Sequence, residues 1–159
     1  MKQTEQLAKH LREVFFGGNW TDSSLKQHLE DVSQQEAVTE VADLNTMAAL
    51  VYHINYYIRA VLKVLAGGPL DASDRFSFDL PPIRSEADWK KLLDAFWKEA
   101  EDLASQIEAL PEATLSSTFV EEKYGSYNRN LQGIIEHTHY HLGQIVLIKR
   151  LIRTGATES

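Results

Sequence analysis

A chain of 159 residues is the size of one domain and long enough to bury a core, and a hydrophobic content of 43% excludes a disordered polymer. A formal charge of −7 argues against duplex nucleic acid or an anionic membrane surface as partner, since both call for clustered Lys and Arg. The absence of cysteine rules out disulfides, thiolate nucleophiles and Cys-based zinc sites.

The chain opens on Met1-Lys2-Gln3-Thr4-Glu5-Gln6 with no apolar signal region, and no later run is apolar enough to span a bilayer. The expectation is a cytoplasmic protein with residues 1–159 forming a single domain. A first amphipathic helix is predicted from Thr4 to Phe16, with Leu7, Leu11, Val14 and Phe15 on one face and Gly17-Gly18-Asn19 as its stop. Trp20 and Thr21 lead into a shorter helix from Ser24 to Leu29, and the periodicity assigns no element to residues 34–41.

A long helix follows from Asn45 to Leu65, with Asn45 as its N-cap and Gly67-Gly68-Pro69 as its end. Leu50, His53, Tyr57, Val61 and Val64 share one of its faces. Residues 69–84 read as a long loop. Ser85-Glu86-Ala87-Asp88 matches a capping box and opens a third helix to Leu110, with Trp89, Leu92, Leu93, Phe96, Ala100, Leu103 and Ile107 inward. Lys90, Lys91, Glu99, Glu101 and Asp102 make its solvated face. A second loop over residues 111–127 has room for a short extended piece. The last helix runs from Asn128 to Arg153, where Lys149, Arg150 and Arg153 complement the negative end of its dipole. Four long helices with two long connections give an all-α four-helix bundle.

On that last helix, Ile134, His137, His141, Gln144, Ile148 and Leu151 recur at spacings of three and four, the seam that faces partner helices. A buried seam is ordinarily apolar, and a polar group without a partner there costs a few kcal/mol at about 25 °C. Something must satisfy His137, His141 and Gln144: a metal ion, a water-filled cavity or a network of carboxylates. His53, mid-face among apolar neighbours, poses the same question on the second long helix. Three imidazoles from two helices make a workable first shell for zinc or nickel with an open position, if the two helices are neighbours.

The remaining histidines fall outside that set. His139 lies about 200° around the helix from His137 and reads as a flank residue. His10 and His28 sit on short amphipathic segments as partly exposed structural residues, and Glu136 points about 100° away into solvent. Tyr52, Tyr56 and Tyr57 around His53 read first as core packing and second as a substrate wall, with the Tyr57 hydroxyl a donor near the ion.

These residues also carry a resemblance. Gly133-Ile134-Ile135-Glu136-His137-Thr138-His139-Tyr140-His141-Leu142-Gly143-Gln144-Ile145 resembles the last long helix of the DinB superfamily, where His-x-x-x-His is followed by Gly-Gln. Met47 to Tyr57, with His53, is similar to the helix that supplies the family's first ligand, and Asn19-Trp20-Thr21-Asp22-Ser23-Ser24-Leu25 resembles the loop before its short helix. The resemblance implies a four-helix bundle of DinB/YfiT type, a homodimer, and a divalent ion, zinc or nickel, held by His53, His137 and His141. One departure is plain: Leu142 stands where many members have Arg, and since that Arg is not a ligand the departure bears on a substrate contact and not on the ion. Some members resemble transferases that use a low-molecular-weight thiol such as bacillithiol, others isomerases or hydrolases. The expected function is that of a metal-dependent thiol transferase acting on a small-molecule substrate. The alternatives are a metal-dependent hydrolase and a non-catalytic, metal-stabilised dimer or small-ligand binder.

Overall fold

A computed structural model describes residues 1–155. Six α-helices form in chain order: α1 Gln3–Phe16, α2 Leu25–Leu29, α3 Gln34–Ala37, α4 Met47–Leu65, α5 Glu86–Ala109 and α6 Tyr127–Thr154. Among the described residues no strand is present, and the sole β-type pairing is an isolated antiparallel bridge between Thr118 and Ser126. That bridge is the extended piece expected in the second loop.

The ends of the helices follow their local chemistry. Thr46, Ser85 and Ser126 each accept a hydrogen bond from the backbone N–H three residues on, which fixes the starts of α4, α5 and α6. The cap of α4 is therefore Thr46 and not Asn45, because the first free N–H groups fall within reach of the threonine hydroxyl. The box at the start of α5 is also altered. Asp88 accepts from the N–H of Arg84, one residue before the cap, rather than from that of Ser85. Residues 34–41 contain the short α3, closed at its start by a reciprocal pair in which the Ser33 hydroxyl caps Glu36 N–H and the Glu36 carboxylate accepts from Ser33 N–H. At the end of α4 the chain turns through Gly67 at φ +84°, a conformation open to glycine without strain.

The four long helices close a ring. α5 packs against both α1 and α4, and α6 completes the circle by packing against α4 and α1. Each contributes its apolar stripe: Leu11, Val14 and Phe15 from α1, Leu50, Ile54 and Ile58 from α4, Phe96, Leu103 and Ile107 from α5, and Ile135, Ile145 and Ile148 from α6, all buried. Trp89 is also buried, and its indole N–H donates to the Val32 carbonyl at 2.8 Å, tying α5 to the segment before α3. This arrangement is an all-α bundle of the expected class. Its consequence for function is the contact between α4 and α6, which sets His53 opposite His137 and His141.

The charges at the end of α6 do more than answer its dipole. Lys149, nearly buried, donates to Asp31 at 2.5 Å and to the His28 carbonyl at 2.8 Å. Arg153 bridges Asp31 and Glu36, each at 2.8 Å. They fasten α6 to the segment that carries α2 and α3. The outer face of α5 is likewise only partly free, since Glu99 pairs with Arg59 of α4 and Glu101 with Arg12 of α1.

Candidate metal centre

His53 is buried in the middle of α4, in a run whose neighbours Val51, Ile54 and Ile58 are also buried. His137 and His141 stand one turn apart on α6, the first half-buried and the second buried. The bundle brings the three rings together, with centroids 4.9, 4.8 and 4.5 Å apart for the pairs 53–137, 53–141 and 137–141. His137 Nε2 lies 3.0 Å from His53 Nε2 and 3.1 Å from His141 Nε2. All three histidines present one nitrogen to a common point, and the group can hold a metal ion.

The protonation of the cluster is constrained from outside. His141 Nδ1 donates to the Gln144 Oε1 at 2.6 Å. An amide oxygen only accepts, so Nδ1 carries the proton and Nε2 keeps its lone pair toward the centre. A single proton on His137 Nε2 would have to serve both of its contacts at once. Burial lowers the pKa of all three rings below the ordinary imidazole range: His137 is pushed down to about 4 by burial and then by His141 and His53. His53 falls through burial and then His141, and His141 falls through burial against the opposing Gln144 bond. Neutral imidazoles with converging lone pairs are what a divalent ion requires. Zinc with His nitrogens at about 2.0–2.1 Å and tetrahedral angles separates those nitrogens by about 3.3 Å, close to the two spacings that His137 makes.

His53 Nδ1 is the unfinished part of the arrangement. It is buried and lacks a hydrogen-bond partner among the described residues, although the Ser77 backbone beside it opposes the fall in pKa. The ring is held instead by stacking: Phe78 lies parallel to it at 4.0 Å, and Tyr57 meets it edge-on at 5.2 Å. The Tyr57 hydroxyl donates to Asp74, and its pKa is pushed up to about 12 by burial and then by that carboxylate. Tyr56 donates to the Ser73 carbonyl and accepts from the Ser73 N–H. The two tyrosines therefore pin the loop after α4 over the histidines, and the Tyr57 hydroxyl is turned to the loop rather than to the centre.

The three histidines form one wall of a cavity of about 1010 Å³. Its other walls include Asp74 and Phe78 from the first loop, Phe119 and Tyr124 from the second, and Arg129 and Gly133 from α6. Asp74, Phe78, Phe119 and Tyr124 carry no helical periodicity because they lie in loops or in single 3-10 turns. Arg129 had a signal, since it is two steps of four residues before His137 on the same helix. The other histidines stay outside as expected. His139 faces His10 of α1 with ring centroids 5.9 Å apart, and His28 pairs with the Ser23 hydroxyl at 2.8 Å. Glu136 is exposed and bonds Arg129 at 3.3 Å.

Among the described residues no helix is long and apolar enough to cross a membrane. A family model described as the DinB superfamily matches residues 19–145. No curated protein and no solved structure matches the chain.

Proposed function

The chain belongs to the DinB superfamily, and from that premise we propose that it is a metal-dependent enzyme whose divalent ion, zinc or nickel, is held by His53, His137 and His141. We propose further that it transfers a low-molecular-weight thiol, such as bacillithiol, to or from a small-molecule substrate. The observation that carries this reading is the placement of three converging imidazole nitrogens on the wall of a cavity of about 1010 Å³. Three protein donors leave a position for an exogenous ligand, and among the described residues the cluster contains no fourth His, Asp or Glu.

A bound divalent ion supplies one piece of chemistry here, since it favours thiolate over thiol at neutral pH. The protein does the rest. Gln144 fixes the tautomer of His141, and Phe78 and Tyr57 hold the plane of His53. The aromatic rings Phe78, Phe119 and Tyr124 give the cavity apolar surface for the body of a substrate. With no cysteine in the chain, a thiol nucleophile has to come from outside.

A second reading is favoured by Asp74, which lines the same cavity. Its carboxylate accepts from Tyr57 and is the one carboxylate in the lining, the type of group a hydrolase would use as a base. Metal analysis of protein purified without an affinity tag tests the centre, with one ion per chain expected and His137→Ala without it. Incubation with a panel of thiols and electrophiles then separates the activities. Thiol-dependent turnover supports the transferase, turnover without thiol supports the hydrolase, and absence of both leaves a ligand-binding bundle.

A further inference from the structure

Arg129 stands in an unusual position for a chain of net charge −7. It lines the cavity together with Lys123, and the one carboxylate in that lining, Asp74, is engaged by Tyr57. Arg129, Gly133 and His137 follow one another at intervals of four on α6, so they share a face. A Cβ placed on Gly133 would stand 3.4 Å from Arg129 Nη1. The guanidinium therefore lies over the glycine, which is four residues, or about 6 Å along the axis, from His137. A side chain at position 133 would share that space with it.

The present partner of Arg129 is Glu136, at 3.3 Å, with the two side chains 64% and 66% exposed. An exposed pair of this kind contributes little and exchanges its partner readily. Glu136 itself does not line the cavity. It holds the guanidinium at Nη1 by one oxygen, and among the described residues Nε and Nη2 have no protein partner, so donors remain for a planar anion.

We propose that Arg129 is the carboxylate anchor of this cavity: a small carboxylate displaces Glu136 from the guanidinium and extends its other end toward the three histidines. The ligand class is then a short chain with a carboxylate at one end. That its far end carries a metal-binding group such as a thiol rests on the function proposed above; the anchor itself does not.

The probes are 3-mercaptopropionate and its neutral amide, which are close in size and differ in the charge and one acceptor of the end group. In metal-free, isotopically labelled protein, the acid is expected to shift the Gly133 amide resonance and the neutral amide is not. Arg129→Gln should weaken the acid about tenfold, the loss expected for one charge-assisted bond. Glu136→Gln, which removes the competitor, should tighten it. Both positions are exposed, so neither change endangers the fold. Equal binding of acid and amide, no loss in Arg129→Gln, or weakening in Glu136→Gln would each overturn the anchor. Tighter, Arg129-dependent binding of inorganic phosphate would overturn the carboxylate assignment. Repeating the titration in zinc-loaded protein keeps the two readings apart. If the neutral amide gains nothing from zinc while the acid still depends on Arg129, the thiol reading fails and the anchor stands. If both gain from zinc without regard to Arg129, the reverse holds.

Discussion

Gln144 holds His141 in one tautomer: its Oε1 accepts from His141 Nδ1 at 2.6 Å, one turn along α6 from the ring it orients. The bond turns a seam residue into a positioning residue, because it aims the Nε2 lone pair at His137 and His53. Replacing Gln144 by Leu keeps the bulk of a half-buried side chain and deletes the acceptor. Zinc affinity is expected to fall by about 10- to 100-fold, the usual cost of losing such a partner. Competition against a chromophoric chelator measures it. Unchanged affinity with an unchanged circular dichroism spectrum would show that Gln144 does not set the tautomer.

Metal binding to the folded state alone must also appear as stability. At an ion concentration about one hundred times its Kd, the folded state gains about 2.7 kcal/mol. For a domain of this size that is a rise of about 5–10 °C in Tm. His53→Ala is expected to abolish the rise, whatever it does to the Tm of metal-free protein, since the readout is the difference with and without zinc. His139→Ala, on the opposite flank beside His10, should leave the rise intact. If His139→Ala removed it and His53→Ala did not, the ion would sit elsewhere.

The contrast between these two residues marks what could be read from the chain. The spacing of four between His137 and His141, set in a seam of Ile134, Ile148 and Leu151, sufficed to separate the pair from His139, because a helix has a fixed pitch. The bundle was legible for the same reason, four long stripes of period 3.6 with loops between them. His53 was a candidate by its place on an apolar face, but its meeting with His137 depends on α4 packing against α6, a choice that no local pattern encodes. Phe78 and Asp74 were out of reach because a loop has no period. In the sequence Lys149 and Arg153 read as charges answering the helix dipole, because their partners, Asp31 and Glu36, are more than a hundred residues away. Only the fold supplies those contacts.

That charged cluster makes the acid stability of the protein depend on the end of α6. The Lys149 bond, then that of Arg153, draws Asp31 from 3.8 down to about 2. The Arg153 bond, then the Ser33 backbone, draws Glu36 from 4.5 down to about 2. A carboxylate with a depressed folded-state pKa contributes fully above its unfolded value and loses the contribution as pH falls through the folded one. Stability conferred by these groups is therefore complete above pH 4.5 and lost on the way to about pH 2. Arg153→Met should lower stability at pH 7 and flatten the profile between those limits in urea unfolding. A parallel profile, displaced but equally steep, would place the acid sensitivity in other carboxylates.

Asn55 tests the opposite case, a polar group that the core does not answer. It is 1% exposed on α4, and neither its Nδ2 nor its Oδ1 has a partner among the described residues. A buried amide left unpaired costs about 1–3 kcal/mol, whereas an apolar group of the same shape removes that cost without leaving a hole. Leucine has the same branching and number of side-chain heavy atoms as asparagine, with bulkier ends, and a better helix propensity. Asn55→Leu is accordingly expected to raise the stability of the metal-free protein by about 1 kcal/mol or more, seen as a higher denaturant midpoint at unchanged slope. Asn55 and His53 lie about 200° apart on α4, so the zinc-dependent rise in Tm should be preserved. Destabilisation by Asn55→Leu would mean that the amide is hydrogen-bonded in solution. Loss of the zinc response would mean that Asn55 supports the histidines from behind, through the wall of the helix that carries the first of them.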